Sequence, residues 1–219
     1  MKKLILFTLA VLVCLGCESS QSSNSQKSSN TNYAELYAKA PLGATPEHFK
    51  GGRNASVVIE EFADFQCPTC ALIHPTVQEL HATYGDRIKI VFRNYPLPIH
   101  SRAFDAALAA EAAGFQGKFW DMQNLIFSNQ KAWSTSADHR KDFETYAQRL
   151  GLDVEKFKAD MSGIAARERV QKDIERGRAL KVNSTPTFFV NGKPLSYEET
   201  EFQRFKAIID AELQKAGQK

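Results

Sequence analysis

The segment that most constrains this chain is Phe62 to Pro75, FADFQCPTCALIHP. Two cysteines, Cys67 and Cys70, lie between an apolar run (SVVIEEFADF) and a stretch in which Ala71, Leu72, Val77, Leu80 and Tyr84 recur near helical spacing. The backbone must therefore pass from strand to helix at Cys67. Pro68 then takes the first helical position, where its missing N–H forfeits no hydrogen bond. The orphan N–H groups of that first turn, and the helix dipole, face the Cys67 sulfur and favour its thiolate. Cysteines placed this way have pKa values lowered from about 8.5 into roughly the 3.5–7.5 range. Cys70 sits one turn deeper, shielded but near enough to form a disulfide with Cys67. Such an asymmetric pair suits redox exchange, one thiolate attacking and the other resolving the mixed disulfide.

Cysteine usage supports a working dithiol over a structural framework. The chain has four cysteines, and two of them, Cys14 and Cys17, fall in the N-terminal segment MKKLILFTLAVLVCLGC. Lys2 and Lys3 followed by the apolar run Leu4 to Leu15 have the form of an export signal, too short to span a bilayer comfortably. The ending Leu15-Gly16-Cys17 resembles a bacterial lipoprotein signal over residues 1–16, with Cys14 where the family usually carries an aliphatic residue. That resemblance implies lipidation of Cys17 and attachment to a membrane through an N-terminal lipid. The Ser/Asn/Gln-rich stretch that follows has little to bury, and residues 17–45 are expected to form a flexible tether. An exported domain left with only Cys67 and Cys70 must be held together by its core. The formal charge of +3 falls to +1 once Lys2 and Lys3 leave, and no basic stripe points to nucleic acid.

After the CPTC helix, RIKIVFRNY alternates as a second strand. Five helical stretches follow between Ser101 and Leu180, separated mostly by Gly or Ser/Thr turns. Then TPTFFV reads as a strand, Asn191-Gly192 as a hairpin turn, KPLSY as the returning strand, and Glu199 to Ala216 as a last helix. The order is β-α-β, a helical block, then β-β-α. The Arg/Glu-rich stretch Arg167 to Arg178 reads as a solvated helix face.

With EEFADFQCPTC, STPTFFVNGKPL and this order in view, the chain resembles the thioredoxin superfamily, and within it the exported DsbA-like oxidoreductases, from about Pro46 to the C-terminus. The resemblance implies an α/β thioredoxin fold (residues 46–100 and 176–219) with a helical insertion (101–175). It implies that Cys67 is the nucleophile, that Cys70 resolves, and that the two cycle through a Cys67–Cys70 disulfide. Pro186 would be a cis-proline facing them, with Thr185 presenting its backbone to an extended substrate. Pro68 and Thr69 would tune the redox poise, with Thr69 where strong oxidants of the family carry His. Glu61 matches a buried acid that relays a proton to the resolving cysteine, although Glu60 competes for the inward face. No bound cofactor is needed. The implied partners are cysteine-containing exported proteins and a membrane redox protein that resets the dithiol, either a quinone-linked oxidase or a transmembrane reductant. The implied place is the bacterial cell envelope.

Two other readings fit the same residues. CPTC also occurs in envelope thiol reductases of cytochrome c maturation, which usually carry Trp where this chain has Gln66. A metal-binding lipoprotein would use Cys67, Cys70 and His74 as soft ligands for copper, since no second Cys/His pair is at hand to close a zinc site.

Overall fold

The computed structural model of the protein describes residues 32–218. The signal sequence expected over 1–16, the lipidation site Cys17 and the Ser-rich start of the tether lie outside the described residues. Among the described residues no helix is long and apolar enough to cross a membrane.

The centre is a five-stranded sheet. Its strands are β1 (His48–Gly51), β2 (Val57–Ala63), β3 (Ile88–Asn94), β4 (Thr187–Val190) and β5 (Lys193–Pro194), in the order β1-β3-β2-β4-β5. Strands β2 and β3 are parallel, and the other three pairings are antiparallel. The parallel pair is bridged by α2 (Pro68–Tyr84), as a crossover of that length allows. The helical block comprises α3 (Ala103–Gly114), α4 (Phe119–Ser128), α5 (Gln130–Trp133), α6 (His139–Arg149), α7 (Val154–Ser162) and α8 (Ile164–Ala179), and α9 (Phe202–Gly217) closes the chain. This is the thioredoxin arrangement with inserted helices. Helix α8 runs across the boundary expected at 175/176.

Strand β1 escapes the sequence pattern because Gly51, Gly52 and Asn54 read as a turn. Its four residues are all half-buried, and it adds an edge to β3. Gly51 has φ +85, and a Cβ there would lie 2.0 Å from the Ile88 carbonyl oxygen, so only glycine lets the edge pair so closely.

The expected tether ends earlier than residue 45. Helix α1 (Tyr33–Lys39) is capped by Asn32, and Tyr33 and Tyr37 pack on Phe189 of β4. Beyond it, Arg176 Nη1 donates to the Pro41 carbonyl at 2.7 Å and Arg93 Nη2 to that of Leu42 at 2.9 Å. The polar composition that predicts a loose chain stops at Asn32; the aromatics after it supply the apolar face that docks this segment.

Both faces of the sheet are covered, which resolves the competition between Glu60 and Glu61. Each is 1% exposed. Glu60 lies opposite Phe189 and Glu61 opposite Phe188, so the two carboxylates point to opposite faces. Glu60 accepts from Arg93 Nε at 2.6 Å and from Arg176 Nε and Nη2 at 2.7 and 2.8 Å, while Arg93 Nη1 also reaches Asp173 at 3.1 Å. Burial opposes ionisation of Glu60, yet the two guanidiniums hold its carboxyl below the usual range. The Arg167–Arg178 stretch is therefore not wholly a solvated face. Asp173 and Arg176 are buried because they complete a charge cluster with two β-strand residues that lie far away in sequence.

Removing one partner would leave a buried charge unpaired, which costs about 3–5 kcal/mol. We expect Arg176→Leu to lose that much in urea unfolding. The double variant Glu60→Leu/Arg176→Leu should recover most of it, and equal losses in the single and double variants would show that the ion pair is not the cause.

Candidate active site: the CPTC helix and the Thr185–Pro186 loop

Strand β2 delivers the chain to the sheet's end, and Asp64 turns it. The Asp64 side chain accepts from Gln66 N, Leu97 N and His100 Nδ1, each at 2.7 Å, and its backbone carbonyl accepts from Cys67 N at 3.1 Å. An aspartate that bonds the backbone two residues on makes an Asx-type turn. Here it sets the approach to Cys67. Gln66, in the place of the reductases' Trp, accepts from Arg102 N at 2.8 Å and so joins this turn to the entry of α3.

Cys67 is the N-cap of α2, with extended backbone (φ −69, ψ 121), and Pro68 opens the helix. Cys67 is 7% exposed and Cys70 is fully buried; both are free thiols. The Cys67 pKa is lowered to about 5. The leading cause is the Cys70 thiol, which donates to the Cys67 sulfur. Burial works against ionisation, but the Thr185 side chain and the N–H groups of Cys70 and Thr69 outweigh it. Cys70 moves the other way, well above the usual thiol range, because it is buried and because it donates to Cys67. The two thiols thus differ in both access and acidity.

The loop before β4 completes the site. The Thr185–Pro186 peptide bond is cis, and the Cys67 Sγ lies 3.2 Å from the Thr185 carbonyl oxygen. The Thr185 hydroxyl is buried and has no hydrogen-bond partner. A cleft of about 270 Å³ beside it is lined by Thr69, Thr185, Pro186, Leu195 and Tyr197. Leu72 and Tyr197 flank it and are 73% and 57% exposed.

Glu61 lies beneath the dithiol. Its Oε1 has no hydrogen-bond partner, and burial raises its pKa to about 8, moderated by the charge of Lys50. That carboxylate in turn adds to the forces that keep Cys70 protonated. Lys50, on the strand that sequence patterning misses, donates to Gln78 at 3.0 Å and lies 4.7 Å from the Trp120 ring centroid. Two of the site's supports, Asp64 and Lys50, were not singled out in the sequence. Only Asp64 had a readable signal, as a turn former three residues before the first cysteine.

His74 does not join the cysteines. It is buried, with Nε2 2.9 Å from Asn124 Oδ1 and its ring on Phe127, and burial lowers its pKa to about 4. Among the described residues no group of three His, Cys, Asp or Glu side chains is placed to hold a metal ion. The copper alternative is therefore not assembled.

The profile of the family described as Thioredoxin matches residues 44–211. The chain belongs to the thioredoxin family. Among curated relatives it is 38% identical over 158 residues to the Na(+)/H(+) antiporter NhaA 1 of Mycolicibacterium gilvum, covering 70% of this chain and 24% of that protein. It is 35% identical over 182 residues to the Na(+)/H(+) antiporter NhaA 3 of Salinispora tropica, covering 81% and 27%. The chain thus spans about a quarter of the length of the curated relatives it matches. Among solved structures, the thiol-disulfide exchange protein alpha-DsbA2 from Wolbachia pipientis superposes with a TM-score of 0.68 at 20% identity, over 82% of this chain and 91% of that one. Oxidised BdbD from Bacillus subtilis gives 0.67 at 24% identity, over 80% and 98%. At these identities the likeness is one of fold, and the fold is DsbA-like.

Proposed function

We propose that this protein is an envelope thiol–disulfide oxidoreductase that exchanges disulfides with exported, cysteine-containing proteins through Cys67 and Cys70, running as an oxidase or isomerase. The observation that carries this reading is the split acidity of the pair at a helix N-terminus. Cys67 is lowered to about 5, whereas Cys70 is raised and buried. A thiolate with a low pKa is also a good leaving group, so oxidised Cys67 would pass its disulfide on readily. The substrate sulfur attacks Cys67, Cys70 leaves as a thiol, and a second substrate thiolate then displaces Cys67. The two electrons end on the Cys67/Cys70 dithiol, and a membrane redox partner must remove them. Thr185 and Pro186 would present their backbone to an extended substrate, with Leu72 and Tyr197 offering apolar contact. One of the superposed proteins, alpha-DsbA2 from Wolbachia pipientis, is a thiol-disulfide exchange protein, which supports the same chemistry.

The lipoprotein-like signal and Cys17 support attachment to an envelope membrane. The match to part of two antiporters, which are membrane proteins, supports work at a membrane surface. In this reading residues 46–100 and 176–219 carry the chemistry, and the helices between them cover it. The envelope reductase alternative uses the same steps in reverse.

Cys70→Ser tests the proposal, because it removes the resolving thiol and leaves the nucleophile. It should accumulate mixed disulfides between Cys67 and envelope proteins, visible on non-reducing gels and lost with dithiothreitol. A Cys70→Ser protein that stays free while wild type turns over would overturn the assignment.

A further inference from the structure

We propose that Gln130, in the helical insertion, is a positioning residue for Cys67 that fixes the peptide on which its sulfur is carried at the start of α2. The inference rests on the dithiol chemistry proposed above. Gln130 opens the short helix α5, is 9% exposed, and lies 63 residues from Cys67 in the chain. Its Nε2 donates to the Phe65 carbonyl and to the Cys67 carbonyl, each at 2.8 Å. A side-chain amide nitrogen carries two N–H groups. Both are used here, and both go to the three-residue approach to the nucleophile.

Two consequences follow for the sulfur. The Cys67 carbonyl fixes ψ at the N-cap, and with it the direction in which Sγ meets the N–H groups of Thr69 and Cys70 that favour its ionised form. The same carbonyl is the helix's own first acceptor, taking the Ala71 N–H at 3.2 Å, so Gln130 locks a peptide plane that the helix alone holds with one long bond. In addition, the Cys67 carbonyl belongs to the residue that bears the sulfur, and an amide proton on its oxygen offsets the negative end of that dipole where the low local dielectric makes it strong. Asp64 and Gln66 hold the turn from its inner side. Gln130 holds it from the insertion, so the inserted helices contribute to the chemistry as well as covering it. Gln130 also lines a depression with Pro68, Ala71 and Leu72. A substrate chain lying there would meet the same side chain.

The test is Gln130→Met, which keeps the length and apolar bulk but removes both donors. In the reduced protein the Cys67 thiolate, followed by its absorbance near 240 nm, should titrate at least one pH unit higher than in wild type. The equilibrium constant with glutathione should shift about tenfold toward the protein disulfide, a potential about 30 mV more reducing. A purely structural glutamine would lower the melting temperature and leave both values within twofold, and that result overturns the proposal. If Gln130→Met does not fold, the unaltered protein decides. The Gln130 side-chain amide resonances should move with the Cys67 titration, near pH 5. Resonances that stay flat between pH 4 and pH 7 would overturn it. The underlying reading fails separately, if wild-type Cys67 itself shows no low titration.

Discussion

Cys67→Ser is expected to abolish disulfide exchange, with Cys70 unable to take over. The Cys70 thiol is fully buried and its pKa is raised well above the usual range, by burial first, a cause that the substitution leaves in place. A thiol whose pKa lies two or more units above ambient pH is ionised to less than about one part in a hundred, and the thiolate is the attacking species. Residual exchange with a reduced cysteine peptide or with oxidised glutathione should therefore fall below about a hundredth of the wild-type rate. A Cys67→Ser protein retaining more than a tenth of that rate would place the nucleophile elsewhere.

Glu61→Gln should slow the reaction and stabilise the fold together. Resolution of a mixed disulfide requires Cys70 to lose its proton, and Glu61 is the buried carboxylate whose charge Cys70 experiences. Positioned general bases contribute about 10²–10⁴-fold. We expect Glu61→Gln to slow resolution at pH 8 by about 10²-fold, measured by quenched-flow decay of a glutathione adduct on Cys67. In wild type, the Glu61-dependent part of that rate should rise with pH until about 8 and then level off; the variant should lack this step.

The effect on stability has the opposite sign. The folded-state pKa of Glu61 is raised from an ordinary 4.5 to about 8, so between those values the unfolded chain binds fewer protons than the native one. Stability therefore declines as pH rises through that window and is flat above it. Removing the ionisable group should stabilise the protein at pH 8 by a few kcal/mol relative to wild type, an effect absent at pH 4. An unchanged resolution rate would remove Glu61 as the base, and no gain in stability at pH 8 would mean that its carboxyl is solvated rather than buried.

How much of this was legible in the sequence depends on how local each feature is. The CPTC turn, its flanking strand and helix, and the Asn191-Gly192 hairpin are short-range patterns, and the structure shows them in place. The α/β class and the block of helices follow from the period of the apolar residues, and their standing as an insertion from the family resemblance. Placing Thr185 beside Cys67 needed the family resemblance, since the two lie 118 residues apart and nothing local links them. Glu60 and Glu61 could not be ranked because a strand covered on both faces buries alternate residues equally. The hydrogen bonds made by Arg176 explain why a charged helix face lies inside, and only the register of β2 against α8 reveals them. Strand β1 was hidden by its own glycines. Lys50 stayed hidden with it, and Gln130 reads in sequence as one polar residue between two helices.

The most direct measurement is the reduction potential of the Cys67/Cys70 pair, taken in glutathione buffers with the dithiol followed by alkylation or intrinsic fluorescence. Thiolate stabilisation lies between that of thioredoxin, with a pKa of about 7 and a potential of about −270 mV, and that of DsbA, at about 3.5 and about −120 mV. With Cys67 near 5 and no histidine at position 69, a potential of about −190 mV is expected, consistent with a disulfide donor or isomerase. A potential at or below about −270 mV would contradict the donor direction, and failure to form the intramolecular disulfide at any poise would contradict the dithiol itself.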